Sequence, residues 1–195
     1  KQRDNMGVDI SGRNPIHRTP KHEYPNWNKI SDKEKDDWFE IDDKWHKENP
    51  GDYFRSNWWG WRPIVQLCER VDNIYGLDID FDSWGSNDGA GLETQKECDK
   101  LSAALERFTG MIDFEDGDDW MGMFTECWST LEGGFVDNSE KEIKELNSQY
   151  EYGDVIRQSI VLPSGKVVEP AHKVYKSRID AFIKFLKECG GFSIW

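Results

Sequence analysis

Residues 51–63 read GDYFRSNWWGWRP and crowd five large rings, Tyr53, Phe54, Trp58, Trp59 and Trp61, into thirteen positions. Rings this dense have to be housed, because each carries a large apolar area. The rest of the chain offers little else to build with. Hydrophobic residues are 36% of the 195, and mean hydropathy is -0.82. Ten Trp residues offset that economy. Two arginines and an asparagine, Arg55, Arg62 and Asn57, stand among the rings. A core needs the rings but not the guanidinium groups, and a bare phosphate site needs the reverse. A nucleotide-like ligand uses both, since rings stack on a base and Arg bonds a phosphate with charge assistance. Tyr53, Arg55, Asn57, Trp58, Trp59, Trp61 and Arg62 are therefore candidate ligand-binding residues. The plainer reading makes the Trp residues core at a helix entrance, with the arginines laid over them at the surface.

Charge narrows the partners. The formal net charge is -13, and residues 111–150 hold eleven acids against two lysines. Nonspecific nucleic-acid binding, which neutralises phosphates with Lys and Arg, is not expected. An acidic face instead suits a basic protein partner, or mimicry of nucleic acid. Cys68, Cys98, Cys127 and Cys189 form no CxxC pair. Three of them fall on apolar helix stripes, as reduced core thiols of a cytoplasmic protein would. Neither a leader nor a long apolar run stands out, so no membrane partner is expected.

The periodicities predict an α+β fold with helices on a small sheet. VDI opens as a strand. Ser31 and Glu34 form a capping box ahead of a helix that presents Trp38, Ile41 and Trp45 and ends at Asn49-Pro50. The next helix is placed from about Pro63, with Ile64, Leu67, Cys68, Val71 and Ile74 inward and Gly76 as its stop. LDIDFDSW alternates Leu77, Ile79 and Phe81 with three aspartates, the pattern of a half-buried strand. A helix through Phe108 follows, with Leu92, Cys98, Leu101, Leu105 and Phe108 inward. Residues 111–150 read as an irregular acidic stretch, with Trp120, Met121, Met123, Phe124 and Trp128 embedded and one helix near 138–149. Residues 158–170 predict a hairpin turning at Pro163-Ser164-Gly165. A last helix turns Ile179, Phe182, Ile183, Leu186 and Cys189 inward, Gly190-Gly191 stop it, and FSIW closes as a strand. One domain over 6–195 is expected, with 13–49 and 111–150 as insertions and 1–5 as an upstream extension.

A second block, SNDGAGL, adds chemistry. Gly89 and Gly91 let backbone approach a ligand, the helix that follows has free N–H groups for an anion, and Asn87 and Asp88 suit a hydroxyl or base edge. Its structural reading is a turn capped by Asp88 or Asn87. Together, MGVDI, YFRSNWWGWRP, SNDGAGL and the closing FIKFLKECGGF resemble a family of small, uncharacterised bacteriophage proteins. The matching blocks cover about a third of the chain, in order. CxxC pairs carried by some members are missing here. The resemblance implies an accessory role inside an infected bacterium and supplies no activity.

Other chemistries find no footing. The Asp78, Asp80, Asp82 and Asp88 series lacks the glycine and closing Glu of a calcium loop. His17, His22, His46 and His172 stand in no ligand spacing, and no nucleophile, metal or cofactor motif is present. Two readings of function lead, with an enzyme acting on a nucleotide in the same pocket, an Asp as its base, as a third. One is a binder of a small nucleotide-like anion, sequestering a signal of bacterial immunity as counter-defence. The other is an acidic inhibitor or adaptor that binds a host protein, DNA mimicry included. The first expects one pocket holding Arg55 or Arg62 together with the 87–91 turn.

Overall fold

A computed structural model describes residues 7–112, 114, 120–123 and 127–195. Met6 and the acid-rich run 115–119 lie outside them, as do Asp113 and Phe124. The fold is α+β: five helices and three small antiparallel sheets among the described residues.

The first sheet has the order β2-β1-β9, from Tyr53–Asn57, Gly7–Gly12 and Phe192–Ile194. Its inward side chains, Val8, Ile10, Phe54, Phe192 and Ile194, are buried. Strand β2 alternates as the period of two requires, with Phe54 and Ser56 inward and Tyr53, Arg55 and Asn57 on the other face. Three helices close over the inner face: α2 (Trp58–Tyr75), α3 (Gln95–Thr109) and α5 (Lys176–Leu186). The inward stripe of α5 is buried throughout, and Gly190 and Gly191 take left-handed φ beyond its end. Cys98 and Cys189 meet in this core as free thiols, Sγ to Sγ 3.5 Å.

The second sheet, β5-β3-β8, joins Val155–Ile156, Trp120–Met123 and Lys173–Tyr175. The third, β4-β7-β6, joins Trp128–Thr130, Val167–Pro170 and Ile160–Val161. Helix α4 (Lys141–Asn147) packs Ile143 and Leu146 on it, beside Trp128 and Val168.

Several sequence expectations change. Helix α2 begins at Trp58, five residues before Pro63, because Asn57 caps it: its Oδ1 accepts the Gly60 N–H at 2.7 Å. Ile74 is exposed. The 77–82 stretch keeps its alternating burial but pairs with no strand. Asp78 takes φ 62, which breaks the extended run. Residues 111–150 are less irregular than read, since β3 is the central strand of its sheet and Met121 and Met123 are wholly buried. Helix α1 (Asp32–Glu48) has the expected capping box, but Ile41 points to solvent. Trp38 and Trp45 pack instead on the preceding loop, donating to the carbonyls of Glu23 and Thr19.

Candidate functional site

A cleft of about 670 Å³ opens where β2 and the first turn of α2 face β8 and the first turn of α5. Arg55 and Asn57 come from β2, Trp59 from α2, His172, Lys173 and Tyr175 from around β8, and Arg178 from α5. Its size lies within the range of small-molecule sites.

The lining holds three cationic side chains and no carboxylate. Arg55 stands on the outward face of β2, with its guanidinium across Gly7 of β1. The nearest acid is Asp9, 3.6 Å from Nε, and Arg55 remains well exposed. Arg178 lies 4.7 Å over the Phe54 ring, and donates to the backbone carbonyl of Arg55. It has no ion pair among the described residues, and burial lowers its pKa. Lys173 is the most neutralised of the three, with Nζ 2.8 Å from Glu169.

His172 supplies the one buried ring of the wall. It is 5% exposed, and neither ring nitrogen has a hydrogen-bond partner among the described residues. Burial, then the charge of Arg62, lowers its pKa, which keeps it a neutral imidazole at pH 7. Trp59 stands against it with ring centroids 4.9 Å apart, yet is itself 58% exposed. Arg62 lies 5.9 Å from the Trp59 ring and so backs the wall without lining the cleft.

The remaining candidates from residues 51–63 go elsewhere. Trp61 is fully buried, donates to the Trp84 carbonyl at 2.8 Å and stacks on that ring, so no ligand in the cleft touches it. Trp58 packs partly buried against the core. The Tyr53 hydroxyl bonds Asp9, and burial followed by that carboxylate pushes it up to about 12. The Asn57 carbonyl oxygen is engaged by its helix cap.

The SNDGAGL turn is not in the cleft. Residues 89–92 run along the free edge of β9, where Gly89 donates to Ile194 and Ala90 and Leu92 accept from Ile194 and Phe192. Strands β1 and β9 therefore separate it from Arg55. A single pocket holding both blocks is not formed. Asp88 is occupied within its own turn, accepting from Ser86 Oγ and the Ala90 N–H, and Asn87 is exposed. The N–H groups expected for an anion meet a capping box made by Thr94 and Glu97 at the start of α3. Gly91 serves packing: at φ 143 a Cβ there would lie 2.3 Å from the Phe192 carbonyl oxygen.

Other clefts differ in sign. One between 77–80 and 91–100 is lined by Asp78, Asp80, Glu93 and Glu97 against a single lysine. Another gathers Lys21, Asp42, His46 and Asp52. Around it, histidines with no sequence relationship converge on two acids. His17 Nε2 is 2.9 Å from Asp52, His22 Nε2 is 3.0 Å from Asp42, and His46 touches both. This network fastens the loop before α1 to the start of β2. No group of three His, Cys, Asp or Glu among the described residues is arranged to hold a metal. No helix among them is long and apolar enough to cross a membrane.

No family model, curated protein or solved structure matches the chain.

Lys173, Tyr175 and Arg178 are absent from the sequence reading, and His172 is set aside there because it stands in no ligand spacing. No local motif marks them. They reach the cleft only through the pairing of β8 with β3 and the docking of α5 on β2.

Proposed function

We propose that the protein binds a small anionic, nucleotide-like ligand in the cleft between β2, α2, β8 and α5. One observation carries this reading: an acid-free concavity with three cationic side chains, in a chain of net charge -13. Arg55 and Arg178 are placed to hold the anion, and their planar guanidinium groups suit phosphate oxygens. Trp59 and Tyr175 offer exposed rings beside them. The lining carries no carboxylate to serve as the Asp base of a nucleotide-processing enzyme, and the reading offered is retention of a ligand. For a chain that resembles phage accessory proteins, its use would be sequestration of a nucleotide signal made by the infected cell.

The test is a thermal-shift screen against cyclic di- and trinucleotides, ADP-ribose and NAD. A ligand at a hundred times its Kd adds about 2.7 kcal/mol of stability. A shift lost in both Arg55→Ala and Arg178→Ala, but kept in an Asp88→Ala control, supports the cleft. A shift lost only in the control moves the site to the turn.

The alternative, an acidic surface for a host protein, rests on the charge of residues 111–150, eleven acids against two lysines. Six of those eleven acids, including all five in 113–119, lie outside the described residues.

A further inference from the structure

We propose that His172 and Trp59 form a ring-recognition subsite within the cleft, so that the ligand carries a nucleobase-like heterocycle as well as an anion. This rests on the cleft reading above and adds the chemistry of the ligand's second half.

The argument starts from an unpaid hydrogen-bonding capacity. His172 is 5% exposed and both ring nitrogens lack a partner among the described residues. Buried polar groups are nearly always paired, and those that are not call for an explanation. A phosphate is a poor one. An oxyanion only accepts hydrogen bonds, whereas a neutral imidazole offers one donor and one acceptor. The matching ligand edge also pairs a donor with an acceptor, as the polar edge of a nucleobase does. Such an edge reaches one ring nitrogen at a time, but unlike a phosphate it can serve either, its acceptor taking the N–H or its donor bonding the bare nitrogen, so His172 reads one of its groups in whichever tautomer it holds.

Access is controlled by Trp59. The imidazole nitrogens are closed off from solvent, and the ring that stands against them is the Trp59 indole, 4.9 Å away and itself 58% exposed. Because Trp59 is exposed and not part of the core, its indole is the group that would turn outward to admit the incoming ring and offer it a flat face to stack on. Gly60, next in the chain, adds no side chain to the wall. Arg55 and Arg178 complete the cleft, so anion and ring would be held by different elements.

Calorimetric titration of the full chain with two kinds of probe tests this. Ribose 5-phosphate presents an anion without a base, and the four nucleoside 5′-monophosphates add one. The expected result is that at least one monophosphate binds about tenfold or more tighter than ribose 5-phosphate, the worth of one good hydrogen bond and a stack. His172→Phe, which keeps a packed ring and removes both nitrogens, should erase most of that advantage and leave ribose 5-phosphate unchanged. Trp59→Leu should do the same. Equal binding of all five probes by the unaltered protein overturns the ring subsite and leaves the anion cleft standing. Equal weakening of both probe kinds by His172→Phe also overturns it, since the residue would then only shape the wall. Binding of none of the five overturns the subsite and the cleft reading together.

Discussion

The Arg178 guanidinium donates to the backbone carbonyl of Arg55, so one contact between α5 and β2 holds the second of the two least neutralised cations of the cleft beside the strand that carries the first. Neither position is near the other in sequence, and the contact is made while Arg178 also lies over the Phe54 ring. The geometry of the proposed anion site is thereby set by how the last helix docks.

Replacing Arg178 should show this directly. Arg178→Ala is expected to weaken binding of a phosphate-bearing ligand by about tenfold or more, the scale of a charge-assisted hydrogen bond. Arg178→Lys should restore only part, because a point charge cannot make both the carbonyl contact and a forked one to phosphate. Titration calorimetry on the three proteins checks the order.

Neighbouring Trp residues should separate stability from binding. Trp61 is fully buried and bonded to the Trp84 carbonyl, so Trp61→Ala should cost about 3–5 kcal/mol in urea unfolding. Trp59 is 58% exposed, and Trp59→Ala should change stability by only about 0.5 kcal/mol. Ligand affinity should fall in the Trp59 variant and not in the folded fraction of the other.

The glycine turn makes the opposite prediction from a ligand loop. A Cβ at Gly91 meets the Phe192 carbonyl at 2.3 Å, with φ at 143, so Gly91→Ala should destabilise by about 2 kcal/mol or more. Its folded fraction should bind ligand normally. Weakened binding at full stability would return the turn to the site.

Acid should loosen the segment ahead of α1. Burial pushes the Asp52 carboxyl up, but hydrogen bonds from Lys21 and His17 outweigh it, and the net pKa is lowered. A lowered folded pKa gives stability that is present above the unfolded value, about 3.9, and lost as pH falls through the folded one. Protection of amides in 13–30 should therefore persist through neutral and mildly acidic pH and fail below about pH 4. In Asp52→Asn it should be weak already at pH 7. Hydrogen exchange, corrected for the intrinsic rate, reads both.

Local signals were legible and long-range ones were not. Ser31 and Glu34 announced α1, and the 158–170 hairpin follows from Pro163-Ser164-Gly165 alone. The same capping signal at Thr94 and Glu97 was present but overlooked behind the glycines. Trp120–Met123 gave no strand pattern, because all four residues are buried and its partners lie tens of residues away. Asp78 shows how one left-handed residue cancels a perfect alternation. Of the site, Arg55, Asn57 and Trp59 could be read from the box on β2 and α2. The other wall could not, since its residues share only a place in the fold.

If the cleft holds an anion as proposed, its contrast with the net charge of the chain would work as an electrostatic sieve. A solute carrying many charges along its length, such as a nucleic acid, must lay most of them against a body of net charge -13 to place one in the cleft. A compact anion enters whole, and at physiological salt the field beyond about 8 Å is largely screened. Under the proposed function, exclusion by size and charge number would come from the net acidity of the chain, and selection among the small anions that pass would be left to the cleft walls.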